Sequence, residues 1–236
     1  MQEFPVTISD TLTLQLIQAP TAFRGVEHDD TGGVVWGASI CLARFLSADL
    51  VRGKTVLELG CGMGVPSLVS VKYDAHRVVA TDMEDKTLQQ LDEVAKRNDC
   101  QDRIELLKLN WNDSSNDEEN EHQSTRDLKA DVILASDVIY HDQMVDSLVE
   151  TIDRYLSKPD GSVYIALRNT RQGVSRFWKE AMPAAGFVLQ QSISCEDYQE
   201  GGRKNNGESQ LPPGFRNDAH SHRWRGDHTI YNFKKE

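Results

Sequence analysis

The chain has 236 residues, 39% of them hydrophobic, enough for one sizeable α/β core and too few for two. Its formal charge of −11 argues against nucleic acid held by bulk electrostatics, because neutralising phosphates needs a basic face. No window approaches the ~18 consecutive apolar residues of a membrane span, and the opening Met1-Gln2-Glu3-Phe4-Pro5 has no basic or apolar leader pattern, so a soluble, unexported protein is expected.

Val6 to Ile17 alternates apolar and polar residues around Asp10-Thr11, the period-two sign of a hairpin, and residues 1–33 read as an N-terminal flap. Val34 to Leu46 then places Trp36, Ile40, Ala43 and Leu46 at helical spacing. From Thr55 on, short apolar runs alternate with helical stretches. Strands are expected at Val56–Leu59, Val78–Thr81, Ile104–Leu109, Val132–Ser136 and Val163–Leu167, with helices near Pro66–Tyr73, Lys86–Asn98 and Gln143–Leu156. Strands joined by such crossovers run parallel. Phe187–Ser194 and Thr229–Phe233 have no clear helix between them and read as an antiparallel pair. The fold class is therefore α/β: a Rossmann-like, doubly wound, seven-stranded sheet with an antiparallel C-terminal pair, in a single domain over 1–236. Asp113 to Asp127 is acidic and poor in apolar residues, a solvated loop. Residues 195–227, with Gly201 to Gly226 at their centre, form an insertion too long for a hairpin connection. It reads as a disordered insertion or a lid facing a substrate. The four cysteines, Cys41, Cys61, Cys100 and Cys195, make no Cys-x-x-Cys pair, which suits the reducing cytoplasm or nucleus.

The chemistry concentrates at strand ends. Val56-Leu57-Glu58-Leu59-Gly60-Cys61-Gly62-Met63-Gly64 closes the first of the parallel strands on a G-x-G-x-G loop. A phosphate-binding P-loop would need Gly-Lys-Ser/Thr, and a dinucleotide fingerprint a glycine where Val65 stands. The variant suits a ligand without a pyrophosphate, with Glu58 beside its amino-acid tail. Thr81-Asp82-Met83 ends the next strand 22 residues after Gly60, where an acid accepts both hydroxyls of a ribose and Met83 lies against adenine. Leu109-Asn110-Trp111-Asn112 faces the same crevice, Trp111 to stack and Asn110 or Asn112 to read the adenine edge. Ala135-Ser136-Asp137-Val138-Ile139-Tyr140 places Asp137 and Tyr140 at the same crevice, where a second substrate would enter. Alternative chemistries lack support: His220-Ser221-His222 has no third ligand at recognisable spacing, so no metal is expected, and Ser67 sits in no nucleophile elbow.

These segments together resemble the seven-strand protein-lysine methyltransferases of methyltransferase family 16, in particular the methyltransferase-like 21 group. The matching stretches are Val34-Val35-Trp36-Gly37-Ala38, Val56 to Gly64, Thr81-Asp82, Leu109-Asn110-Trp111, Ser136-Asp137-Val138-Ile139-Tyr140 and Asp227 to Lys235. The resemblance implies S-adenosylmethionine as methyl donor, with S-adenosylhomocysteine as product. It implies a cofactor site that includes Trp36, Gly60, Cys61, Gly62, Asp82, Trp111 and Ser136. Asp137 and Tyr140 match the group's Asp-x-x-Tyr motif and would orient a lysine amine. The implied partner is a cytosolic protein such as a translation factor or chaperone, and the enzyme is expected to be monomeric. Gly37 stands where many relatives carry an acid, and the Gly201–Gly226 insertion is not a shared pattern, so substrate preference does not transfer. Two other readings stay open on residues alone: an N-methyltransferase for small molecules or nucleic acid, and a non-catalytic module of the same fold. The charge and the lack of an Asn-Pro-Pro-Tyr motif weigh against nucleic acid.

Overall fold

The computed structural model describes residues 2–18, 30–112, 127–195 and 227–235. The first two strands, β1 (Gln2–Ser9) and β2 (Leu12–Gln18), form the expected hairpin about Asp10-Thr11. Alternation works as read: Phe4, Val6, Ile8, Leu14 and Leu16 are buried. Asn98 pins the hairpin by accepting from the Gln15 amide at 2.9 Å and donating to the Gln15 carbonyl at 2.8 Å, while the Arg44 guanidinium donates to the Thr7 carbonyl.

The main sheet is built from β3 (Thr55–Leu59), β4 (Arg77–Asp82), β5 (Ile104–Lys108), β6 (Val132–Ser136), β7 (Ser162–Arg168), β8 (Phe187–Ser194) and β9 (His228–Lys235). Its order is β5-β4-β3-β6-β7-β9-β8. The first five strands are mutually parallel, and β9 is antiparallel to both β7 and β8. Helices cover both faces: α1 (Gly37–Phe45), the short α2 (Ala48–Val51), α3 (Val65–Lys72), α4 (Asp85–Arg97) and α5 (Met144–Tyr155). Burial on two faces explains why the parallel strands read as continuous apolar runs. Val56, Val78, Val132 and Leu134 belong to the core that includes α1, α3 and the hairpin, whereas Leu57, Leu59, Ile133 and Ala135 belong to the core that includes α5.

Two expectations about helices need correction. The first helix begins at Gly37 and not at Val34, because Val34 and Val35 are buried apolar residues in non-helical backbone and Trp36 caps the helix from an extended conformation. Between β7 and β8, where the sequence marked no helix, residues 174–184 form a helical stretch, α6, with a π turn at Phe177–Ala181. Its signals are masked by Gly173, left-handed at φ 89°, and by Pro183. Most of the acidic segment Asp113 to Asp127 and of the insertion at 195–227 lies outside the described residues, as do His220 and His222. All four cysteines are buried and unpaired. Among the described residues no helix is long and apolar enough to cross a membrane.

Candidate functional site

Strands β3 and β6 are neighbours, yet β3 leads through α3 to β4 on one side and β6 through α5 to β7 on the other. At such a point the connections leave in opposite directions, and a crevice opens beyond the carboxyl ends. A cleft of about 230 Å³ lies there.

Its floor is the glycine loop. The Cys61 amide donates to the Thr81 carbonyl at 2.8 Å and the Gly64 amide to the Cys61 carbonyl at 2.7 Å, closing a tight turn between β3 and α3. Gly60 is left-handed at φ 62°, and a Cβ there would stand 2.8 Å from Cγ1 of Val138 and 3.4 Å from the Trp111 ring. Both the backbone conformation and the lack of room demand glycine, which leaves bare backbone facing the cleft. Asp82, at the end of β4, ties the loop down: Oδ2 accepts the Gly62 amide at 3.1 Å and Oδ1 the Glu84 amide at 3.2 Å. Burial pushes the Asp82 carboxyl above its usual range, and these amide bonds oppose the shift.

Glu58, expected at the cleft, does not line it. Along β3 its side chain shares the face of Val56 and not the strand end, so it is fully buried beneath the loop. There Oε2 accepts the Ser67 amide at 2.9 Å and the Ser67 hydroxyl at 2.5 Å, capping the first turn of α3. Oε1 is buried without a hydrogen-bond partner. Loss of solvation raises the carboxyl to about 8, so at neutral pH it is mostly a neutral acid.

The other residues singled out in the sequence all line the cleft. Gly60, Cys61 and Gly62 come from the loop, and Asp82 and Met83 from the end of β4. Met83 is the exposed large hydrophobic residue of the described chain, 49% accessible. Asn110 and Trp111 follow β5. The Asn110 carboxamide oxygen accepts the Asn112 amide at 3.1 Å, and that of Asn112 accepts the Ser147 hydroxyl on α5 at 2.8 Å, so the loop is braced to the opposite wall. Trp36 reaches the cleft from the cap of α1. Ser136, Asp137 and Tyr140 follow β6. Asp137 is left-handed at φ 52°, and its amide donates to the Ala166 carbonyl on β7 at 2.8 Å. Its side chain is 6% exposed, Oδ2 faces Arg171 at 3.5 Å, and Oδ1 is buried without a hydrogen-bond partner. Burial raises this carboxyl, with Arg171 and His228 opposing.

Sequence reasoning missed Gly32, Ser39, Glu84, Thr87, Val138 and Met144, which also line the cleft. A usable signal existed for several: Glu84 and Thr87 sit at the first turn of the helix after β4, and the first turn of a crossover helix borders the crevice. No local signal marks Gly32, which is placed by contact with Thr87, 2.3 Å from where a Cβ would stand. The charged residues among the described lining are Asp82, Glu84 and Asp137, all acids. Such a lining suits a cation and repels phosphates.

A family model described as lysine methyltransferase matches residues 20–183. The protein-lysine N-methyltransferase EFM3 of Chaetomium thermophilum is 29% identical over 165 residues, covering 67% of this chain and 49% of that protein. The protein N-terminal and lysine N-methyltransferase EFM7 of Gibberella zeae is 28% identical over 208 residues, covering 80% of this chain and 72% of that protein. The chain thus spans about half the length of the first relative. A putative SAM-dependent methyltransferase from Streptococcus mutans superposes with a TM-score of 0.64 at 14% identity, covering 98% of this chain and 55% of that one, a likeness of fold.

Proposed function

The chain belongs to the lysine methyltransferase family, and from that membership we propose that it methylates the side-chain amine of a lysine in a protein, using S-adenosylmethionine. The observation that carries the reading is the acid-only charge of the lining, with the buried Asp137 carboxylate at the switch point of the sheet. That charge matches a cationic cofactor and a lysine, and it disfavours a phosphate-bearing acceptor.

The residues present fit the cofactor. The glycine turn, closed to any Cβ at Gly60, leaves main chain for an amino-acid tail to approach. The Asp82 oxygens accept the backbone amides of Gly62 and Glu84 and keep lone-pair capacity for a ribose hydroxyl. Met83 and Trp111 offer apolar surface for adenine, and the exposed side chain of Met83 has most to gain from being covered. When bound, S-adenosylmethionine supplies a methyl group activated by a sulfonium.

The chain's own contribution is alignment and proton control. A free lysine, with pKa about 10.4, must lose a proton before its nitrogen can attack. Desolvation of the amine in the cleft favours that loss. Asp137 is a far weaker base than lysine even with its pKa raised, so its part is to accept an N–H and orient the lone pair, not to keep the proton. Tyr140, from the same loop, lines the acceptor end beside it. The four thiols would stay reduced in a cytoplasmic or nuclear setting, where protein substrates for such an enzyme reside.

Incubating the protein with tritiated S-adenosylmethionine and a cell lysate tests this. Label should enter methyllysine in protease-sensitive material. Label found only in nuclease-sensitive or low-mass products would reject the lysine assignment. Calorimetry with S-adenosylhomocysteine that showed no heat would reject an enzyme of this class altogether.

A further inference from the structure

Behind Asp137, on the side away from the cleft, lies a cluster of charges at the carboxyl end of β7 and the start of β9. Arg168 on β7 is committed to Asp227: its Nε stands 2.9 Å from Oδ2, and the Thr170 hydroxyl donates to the same oxygen at 2.6 Å. His228 on β9 is buried, and burial pulls its pKa below the usual histidine value, so it is neutral at physiological pH. Arg171, in the turn after β7, has a terminal nitrogen 3.5 Å from Oδ2 of Asp137 and an Nε buried without a hydrogen-bond partner. The charged and titratable groups facing Asp137 from this side are thus Arg168, Asp227, His228 and Arg171. Arg168 is shared with Asp227, and His228 carries charge only at acid pH, so Arg171 is the main counter-ion at neutral pH, ahead of His228 and Arg168. A carboxylate 6% exposed needs one.

We propose that Arg171 is a positioning residue for the acceptor end of the cleft: its guanidinium pairs with Oδ2 of Asp137 and so holds the carboxylate ionised at the end of the cleft where the incoming amine would be received. The role assigned to that amine rests on the lysine methyltransferase reading, whereas the pairing of Arg171 with Asp137 does not. The left-handed backbone of Asp137 is held by the hydrogen bond that its amide donates to the Ala166 carbonyl, which ties the start of this loop to β7. The pairing makes two demands of the folded chain. Asp137 stays ionised despite burial, and it does so through one particular arginine.

The test is a carboxyl-carbon NMR titration of Asp137 in the full chain saturated with S-adenosylhomocysteine, the resonance assigned with D137N. In R171Q the titration midpoint should rise by about one pH unit or more, the effect of removing an opposite charge at this distance. In R171K it should rise less, because an ammonium keeps the charge but not the reach. In R168M, which leaves Arg171 in place, the midpoint should move least. A folded R171Q with an unmoved midpoint, or R168M shifting it as far as R171Q, overturns the proposal. Should R171Q fail to melt cooperatively, R171K decides: a midpoint equal to that of the natural chain also overturns it. Failure of the methyltransferase reading would show separately, as absence of S-adenosylhomocysteine binding by the unaltered chain.

Discussion

Replacing Glu58 with glutamine should remove a pH dependence that the buried acid imposes on folding. In the folded chain the carboxyl is pushed up to about 8, against 4.5 for an ordinary glutamate. Between those values the folded chain holds one more proton than the unfolded chain, so stability falls as pH rises. The contribution is fully present below pH 4.5, declines by about 1.4 kcal/mol per pH unit, and is lost once pH passes about 8. Across the window this amounts to about 5 kcal/mol, a sum comparable with the whole stability of a modest domain. Glutamine is neutral at every pH, and its carbonyl can still accept the Ser67 amide and hydroxyl that now reach Oε2. Urea unfolding followed by circular dichroism at pH 5, 6, 7, 8 and 9 gives the difference in stability between E58Q and the natural chain, in which other titrating groups cancel. That difference should grow in favour of E58Q up to pH 8 and then level off. Parallel curves over the whole range would show that Glu58 ionises like an exposed glutamate, and would refute the reasoning from its burial.

Three other substitutions separate binding from transfer. Asp137→Ala should lower methyl transfer by at least about 100-fold, through lost orientation of the acceptor, while leaving the calorimetric Kd for S-adenosylhomocysteine within a few-fold. Asp82→Ala removes both the acceptor of the Gly62 amide and the proposed ribose contact, so that Kd should weaken by about 10- to 100-fold, the worth of one or two hydrogen bonds to a charged group. Gly60→Ala forces a Cβ into left-handed backbone 2.8 Å from Val138. It should lower stability by about 2 kcal/mol and Tm by about 5 °C, measured by scanning calorimetry, with S-adenosylhomocysteine affinity falling alongside.

Which features were legible follows from whether their cause is local. The parallel strands were readable because burial on both faces writes an unbroken apolar run, as in Val56 to Leu59 and Val132 to Ser136. The hairpin was readable because β1 buries one face, so Phe4, Val6 and Ile8 alternate with exposed or half-buried neighbours. Helix α6 was not, since Gly173 and Pro183 punctuate a stretch held by packing of Val174, Phe177 and Met182 against distant strands. Spacing placed the glycine loop and Asp82 on one crevice, but proximity in sequence misled at Glu58. A residue two positions before a loop glycine points to a sheet face, and no motif states which face is the cleft. The pairing of Asp137 with Arg171 left no trace in either local sequence, because it depends on β6 lying beside β7.

The last described strand has a consequence for how the chain acquires its form. β9 is late in sequence but interior in space, and it is the neighbour that hydrogen-bonds β8 to the sheet. During synthesis, residues 187–194 leave the ribosome well before residues 228–235, and until then β8 has no strand to pair with. The half of the sheet that carries the glycine loop can be assembled by then, through contacts short in sequence. Completion of the other edge awaits a long-range event: β9 entering between two strands already made, and bringing His228 and Asp227 to the cluster behind Asp137. A ribosome-bound chain arrested before residue 227 would hold its glycine loop, Arg168 and Arg171, and lack the Asp227 and His228 that pack behind the acceptor end.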